Sequence, residues 1–141
     1  MIDRKIIFAD DEYVTRFVAE SILKSQKCTY YICKDGKEAF DIITANYGYY
    51  DLIIADYNMP GLNGCQLYFN INIQLNMKIP FILISGSDEK DIKENQRKQK
   101  CYDYFIKKPL SKAKIEEAIK YIDSLKQNNQ SETIKLTKKP L

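Results

Sequence analysis

The sequence contains no histidine. That absence excludes a Ser-His-Asp or Cys-His catalytic pair, a histidine metal ligand and a phosphohistidine on this chain. Long apolar runs are missing too. None approaches the roughly 20 residues a membrane-spanning helix needs, and Met1-Ile2-Asp3-Arg4 lacks the character of a signal peptide. A cytoplasmic protein without membrane contact is therefore expected. The four cysteines (Cys28, Cys33, Cys65, Cys101) contain no Cys-x-x-Cys pair, so no zinc site is visible. Reduced, mostly buried thiols are expected, with Cys28 and Cys33 on opposite faces of a strand. There is little excess charge. The net charge is +3, and the residues beyond Gln127 carry Lys135, Lys138 and Lys139 against Glu132. The body is nearly neutral, which gives no basis for a nucleic-acid partner. No internal repeat or low-complexity linker divides the chain.

What is present is the composition of one ordinary globular domain: 141 residues, 45% apolar and 29% charged. Short strand-like runs alternate with stretches of helical period. The runs are Lys5–Ala9, Thr29–Cys33, Leu52–Ala55, Pro80–Ile84 and Tyr104–Ile106. Between them, apolar residues recur at helical spacing: Val14, Phe17, Val18, Ile22 with Ser25; Ala39, Phe40, Ile43, Tyr47; Leu67, Tyr68, Ile71, Leu75 from near Gly64. Ile92 is the only aliphatic residue between Asp88 and Lys100, which predicts a weakly packed, mobile fourth helix. Ser111 is placed to cap a last helix carrying Ile115, Ala118, Ile119, Ile122 and Leu125. This alternation predicts an α/β fold with a parallel sheet and helices on both faces. Nearly continuous apolar strands fit, because such a sheet is buried on both sides. Residues 1–126 are read as the domain and 127–141 as a polar, disordered tail.

In an open α/β sheet, ligands bind at the carboxyl ends of the strands. Asp10 and Asp11 follow the first strand, Asp56 the third, Ser85 the fourth and Lys108 the fifth. Two like charges about 4 Å apart repel by about 4 kcal/mol at an effective dielectric of about 20. Three carboxylates in one cleft therefore need protonation or a cation. Hard oxygen donors without histidine or cysteine favour Mg²⁺ over zinc. Mg²⁺ readily shares phosphate oxygens, so the same cleft suits a phosphoryl group. Lys108 would meet that group by charge and Ser85 by hydrogen bond.

Asp10-Asp11, Asp56 within Ile-Ile-Ala-Asp-Tyr-Asn-Met-Pro-Gly, Ser85-Gly86 and Lys108-Pro109, each at the end of its own strand, resemble the receiver domain of two-component response regulators. The resemblance covers roughly residues 4–125 and rests on the motifs occurring together in order. It implies a flavodoxin-like doubly wound (βα)5 sandwich with a five-stranded parallel sheet of order 2-1-3-4-5. It also implies that Asp56 is the phosphoacceptor, that Asp11, Asp56 and the main-chain carbonyl of Asn58 ligate Mg²⁺ or Mn²⁺, and that Asp10 assists. Lys108 resembles the lysine that pairs with the phosphoryl group, Ser85 the switching hydroxyl and Phe105 the switching aromatic. Gly86 and Ser87 neighbour the phosphoryl pocket, and Asn58 and Ser87 occupy positions that influence acyl-phosphate lifetime. The donor would be a histidine kinase or histidine phosphotransfer protein, because this chain has no histidine of its own. Val14-Thr15-Arg16-Phe17-Val18 resembles the first helix of receivers from hybrid sensor kinases. Arg97-Lys98-Gln99-Lys100 before Cys101-Tyr102 departs from the small and apolar residues usual in the family's fourth helix.

Other readings fit less well. Asp10-Asp11-Glu12 as simple capping chemistry would account for about 1 kcal/mol but not for Asp56 and Lys108. A flavin phosphate would be repelled by those acids, and a haloacid-dehalogenase-type phosphatase would need an acid where Asn58 stands. The alternative of a pseudo-receiver, which binds partners without phosphorylation, is opposed by the complete acidic cluster. A signalling receiver rather than a turnover enzyme is expected.

Overall fold

A computed structural model describes residues 3–137. Five parallel strands, β1 (Arg4–Ala9), β2 (Cys28–Cys33), β3 (Leu52–Asp56), β4 (Phe81–Ser85) and β5 (Tyr104–Lys107), form one sheet in the order β2-β1-β3-β4-β5. Between and after them run α1 (Tyr13–Lys24), α2 (Gly36–Ala45), α3 (Gly64–Tyr68), α4 (Glu89–Asn95) and α5 (Lys112–Thr137). The fold class and strand order agree with the expectation. Every strand lies within two residues of its sequence reading.

The period-two geometry of a strand divides the core into two layers. Ile7, Ala9, Ile53, Ala55, Phe81 and Leu83 face α2, α3 and α4 through Ala39, Ile43, Leu67, Ile71 and Ile92. Ile6, Phe8, Leu52, Ile54, Ile82 and Ile84 face α1 and α5 through Ala19, Leu23, Ile115, Ala118 and Ile122. Cys33 joins the first layer and Cys28 packs against the second, as strand alternation requires. Polar links tie the ends of the sheet. Arg4 donates two hydrogen bonds to Asp123 at 3.0 and 2.7 Å, joining β1 to α5. Asp35 caps α2 by accepting from Glu38 N, and Ser111 Oγ accepts from Lys114 N at the start of α5.

Four details correct the sequence reading. Val14 and Phe17 do not join the core and are 70% and 66% exposed. At 3.6 residues per turn they lie on the far side of α1 from buried Ala19 and Leu23. Tyr47 is also exposed, lying beyond the end of α2. The third helix widens after Tyr68 into a π-helical stretch, Phe69–Gln74, closed by Leu75 N donating to Asn70 O. Asn72 anchors this stretch through its side-chain amide, which bonds both the N–H and the carbonyl of Ile79 at 2.8 Å. The wider turn keeps Ile71 buried but leaves Leu75 exposed, where a regular helical period would turn it inward. Finally, α5 continues to Thr137, past the expected start of the tail at residue 127. Gln127 to Thr137 contains no glycine or proline to stop it. Residues 138–141 of that expected tail lie outside the described residues.

Gly64 is required by close approach. A Cβ there would sit 2.6 Å from the main-chain oxygen of Asp56 and 2.5 Å from Leu83 Cδ1. At Gly86 a Cβ would meet nothing within 4 Å. Gly64→Ala is therefore expected to destabilise the fold by about 1–3 kcal/mol, and Gly86→Ala by less than about 0.5 kcal/mol. Urea unfolding of the two variants checks this, and equal midpoints would contradict the close approach.

Candidate functional site

The sheet register builds the site. Ala9 pairs with Ala55, so Asp10, the next residue after β1, emerges beside Asp56, the last residue of β3. Asp56 pairs with Ile84, and Ser85 at the tip of β4 pairs with Lys107 of β5. Lys108 follows and is fixed by its N–H, which donates to Ser85 O at 2.8 Å. Its peptide bond to Pro109 is cis. Strand order reverses around β1, where β3 passes to the opposite side from β2, and the acids lie at that crevice.

The side chains converge. Lys108 Nζ lies 2.9 Å from Asp10 Oδ2, 3.3 Å from Asp56 Oδ2 and 2.9 Å from Glu12 Oε1. Asp10 is fully buried and Asp56 only 3% exposed. Asp10 Oδ1 accepts from Glu12 N at 2.8 Å, which orients its carboxylate at the start of α1. Arg16 Nη1 donates to Asp10 O at 3.0 Å and holds the backbone of the same turn. Asp11 is exposed and directs one oxygen into the group.

Ser85 is buried, and its Oγ accepts from Ser87 N at 3.0 Å. Gly86 and Ser87 follow on the surface. Asn58 is exposed, and its backbone N–H faces the Asp56 carboxylate. Phe105, half-buried in β5, packs against Tyr102 with ring centroids 5.9 Å apart, outside the acidic cluster. Sequence reasoning placed Glu12 as a capping or repelling acid and missed its bond to Lys108. The signal available was a third acid directly after Asp10-Asp11.

Burial sets the electrostatics. Desolvation, reinforced by the charge of Asp10, pushes the Asp56 carboxyl up to about 7 against the opposing pull of Lys108. Desolvation also raises Asp10, against the hydrogen bond from Glu12 N and the nearby charge of Lys108. Burial disfavours the Lys108 ammonium. The hydrogen bond to Glu12 and the close carboxylates of Asp10 and Asp56 outweigh it and hold Lys108 above its ordinary value.

The residues fit a divalent cation. Asp10, Asp11 and Asp56 each offer a carboxylate oxygen, all within 4.8 Å of one another. Asp10 Oδ2 is buried and, despite its nearness to Lys108, receives no directed hydrogen bond. One ammonium does not balance these acids, and an all-oxygen donor set suits Mg²⁺ or Mn²⁺.

Between a pH of about 4 and 7, the folded chain retains a proton on Asp56 that the unfolded chain has released. Metal-free stability must therefore fall as pH rises through that window, by up to about 4 kcal/mol. Urea midpoints without divalent cation are expected to drop between pH 5 and 8, and Asp56→Asn to flatten the drop and stabilise the protein at pH 8. Parallel profiles for the two proteins would contradict the assignment.

Comparisons with known proteins agree with this geometry. Residues 6–120 match the family described as the response regulator receiver domain. The chain is 24% identical over 128 residues to sporulation initiation phosphotransferase F of Bacillus subtilis, covering 91% of this chain and 100% of that protein. It is 28% identical over 134 residues to hybrid signal transduction histidine kinase K of Dictyostelium discoideum, covering 89% of this chain but 11% of that protein. Among solved structures, the CheX–CheY–BeF3–Mg complex of Borrelia burgdorferi aligns with a TM-score of 0.74 and 25% identity, over 86% of this chain and 90% of that one. None of the described helices is long and apolar enough to cross a membrane. With the match spanning most of the chain and the acids standing at its strand ends, the protein belongs to the response regulator receiver domain family of two-component signalling.

Proposed function

We propose that this receiver accepts a phosphoryl group on Asp56 from a phosphohistidine of a separate histidine kinase or histidine phosphotransfer protein. The observation that carries the reading is Lys108 bridging Asp10 and Asp56 at 2.9 and 3.3 Å at the mouth of a three-acid cluster. A phosphoryl group in flight spreads negative charge over its equatorial oxygens, so the site's work is positioning and neutralisation. Mg²⁺, held by Asp11, Asp56 and the Asn58 carbonyl with Asp10 assisting, would supply part of that neutralisation.

The residues divide the remaining work. Asp56 supplies the attacking carboxylate oxygen. Lys108 exchanges its carboxylate partners for a phosphoryl oxygen. Ser85 offers its hydroxyl to another, and Phe105 turns into the space Ser85 leaves, passing the change to β5 and α4. Asn58, Gly86 and Ser87 line the approach and set how fast the acyl phosphate hydrolyses. The receiver unit lies within residues 1–126, acts as a signalling module rather than a turnover enzyme, and works in the cytoplasm, alone or as part of a hybrid kinase.

Incubation with acetyl phosphate and Mg²⁺ is expected to add one phosphoryl mass to the wild type and none to Asp56→Asn. Equal labelling of both proteins would overturn the assignment of Asp56, and no labelling of either would favour a pseudo-receiver. Glu12 adds a second test. Its carboxylate occupies Lys108 and repels an incoming phosphodonor, yet it is 62% exposed. An exposed ion pair of this kind is worth about 0.5–1 kcal/mol, so Glu12→Gln is expected to speed labelling about two- to fivefold. An unchanged or slower rate would show that the Glu12 contact does not compete with the donor.

A further inference from the structure

Cys65 and Cys101 are joined by a disulfide, contrary to the expectation that all four thiols are reduced, whereas Cys28 and Cys33 are free. Their Cα atoms are 4.9 Å apart although 36 residues separate them in sequence. That spacing lies within the range a disulfide spans without moving the backbone. The sequence could not show this, because the pairing depends on α3 and the segment before β5 lying side by side in space.

The place of the link gives it consequences. Cys65 lies in the first turn of α3, next to Gly64, which abuts the backbone of Asp56. Cys101 begins the approach to β5, four residues before Phe105. Just upstream, Arg97 and Lys98 adopt left-handed φ values of 52° and 61°. Two consecutive non-glycine residues in that region are strained and persist only where neighbouring structure holds them.

The surroundings fit a reagent. Cys65 and Cys101 are 3% and 5% exposed, and both line a surface groove of about 250 Å³ beside Phe69 and Gln99. Cys101 also borders a wider groove of about 910 Å³, which carries Lys90, Lys93, Lys98 and Lys100 against Glu89 and Glu94. The excess of ammonium groups favours an anionic reactant.

We propose that Cys65 and Cys101 form a reversible thiol–disulfide site served by an anionic low-molecular-weight disulfide of the glutathione class, and that the oxidised link pins the segment entering β5 to α3. In the forward reaction one cysteine thiolate attacks a sulfur of glutathione disulfide and expels glutathione thiolate, leaving a mixed disulfide. The second cysteine thiolate attacks the protein sulfur of that bond and expels the other glutathione. Two electrons pass from the cysteine pair to glutathione disulfide, and the two thiol protons finish on the two glutathione molecules. Excess glutathione reverses both steps.

The test uses the full chain, reduced, desalted and equilibrated without oxygen across ratios of reduced to oxidised glutathione, then alkylated and mapped by mass spectrometry. A Cys65–Cys101 link that forms and disappears across the series, with Cys28 and Cys33 alkylated throughout, is expected. Two alkylated thiols at every ratio, or a link that survives every ratio, would overturn the proposal. Amide hydrogen exchange at residues 96–103 is expected to be severalfold faster in the reduced protein. Cys65→Ser and Cys101→Ala should match the reduced form under both conditions. Identical exchange in both redox forms of the wild type would overturn the pinning. At low salt, glutathione disulfide should oxidise the pair severalfold faster than neutral hydroxyethyl disulfide, with the advantage lost at high salt. Equal rates would overturn the anionic class.

Discussion

The ion pairing of Lys108 with the buried carboxylates of Asp10 and Asp56 is the contact on which the site depends. Two acids at 0% and 3% exposure would ordinarily discharge by taking up protons, and burial already pushes Asp56 up to about 7. One ammonium at 2.9 and 3.3 Å keeps the pair in place without neutralising it. The remaining negative charge leaves the site short of positive charge, a deficit that a divalent cation can fill. The same pairing explains why Lys108 needs a rigid seat. Its backbone is bonded to Ser85 O, so the ammonium is aimed from the tip of a strand rather than from a free loop.

The sheet supplies that rigidity. Four of its strands are bonded in an order that sets Asp10, Asp56, Ser85 and Lys108 side by side, each within a residue of a strand end. The apolar residues alternate between two core layers and so fix the register, because a slip of one residue would send every side chain to the other face. The far edge of this frame, β5, is less completely buried than β3 and β4. Phe105 is half-buried on the last strand, and α4 is short, with Ile92 as its buried residue.

Much of this was legible in the residue order. Strand-like runs ending in acids, a hydroxyl and a lysine predicted a parallel sheet and the convergence of Asp10, Asp11, Asp56 and Lys108, because strand ends of a parallel sheet share one edge. The strand order followed from the family resemblance. What escaped depended on rotation and distance in three dimensions. Val14 and Phe17 are apolar, but only the final orientation of α1 shows that they face away from the core. Leu75 was assigned inward by a period of 3.6, which the π-helical turn breaks. Glu12 reads as a capping acid until the position of Lys108 is known. Cys65 and Cys101 read as unrelated thiols until α3 and the approach to β5 are seen together.

Magnesium titration followed by calorimetry tests the central claim most directly, run at neutral pH on the wild type and on Asp11→Asn. Asp11 is exposed, so its replacement leaves the buried pair and the fold intact while removing one oxygen donor. The account predicts saturable binding of one ion to the wild type and at least about tenfold weaker binding to the variant. No saturable binding, or equal affinity for both proteins, would contradict it.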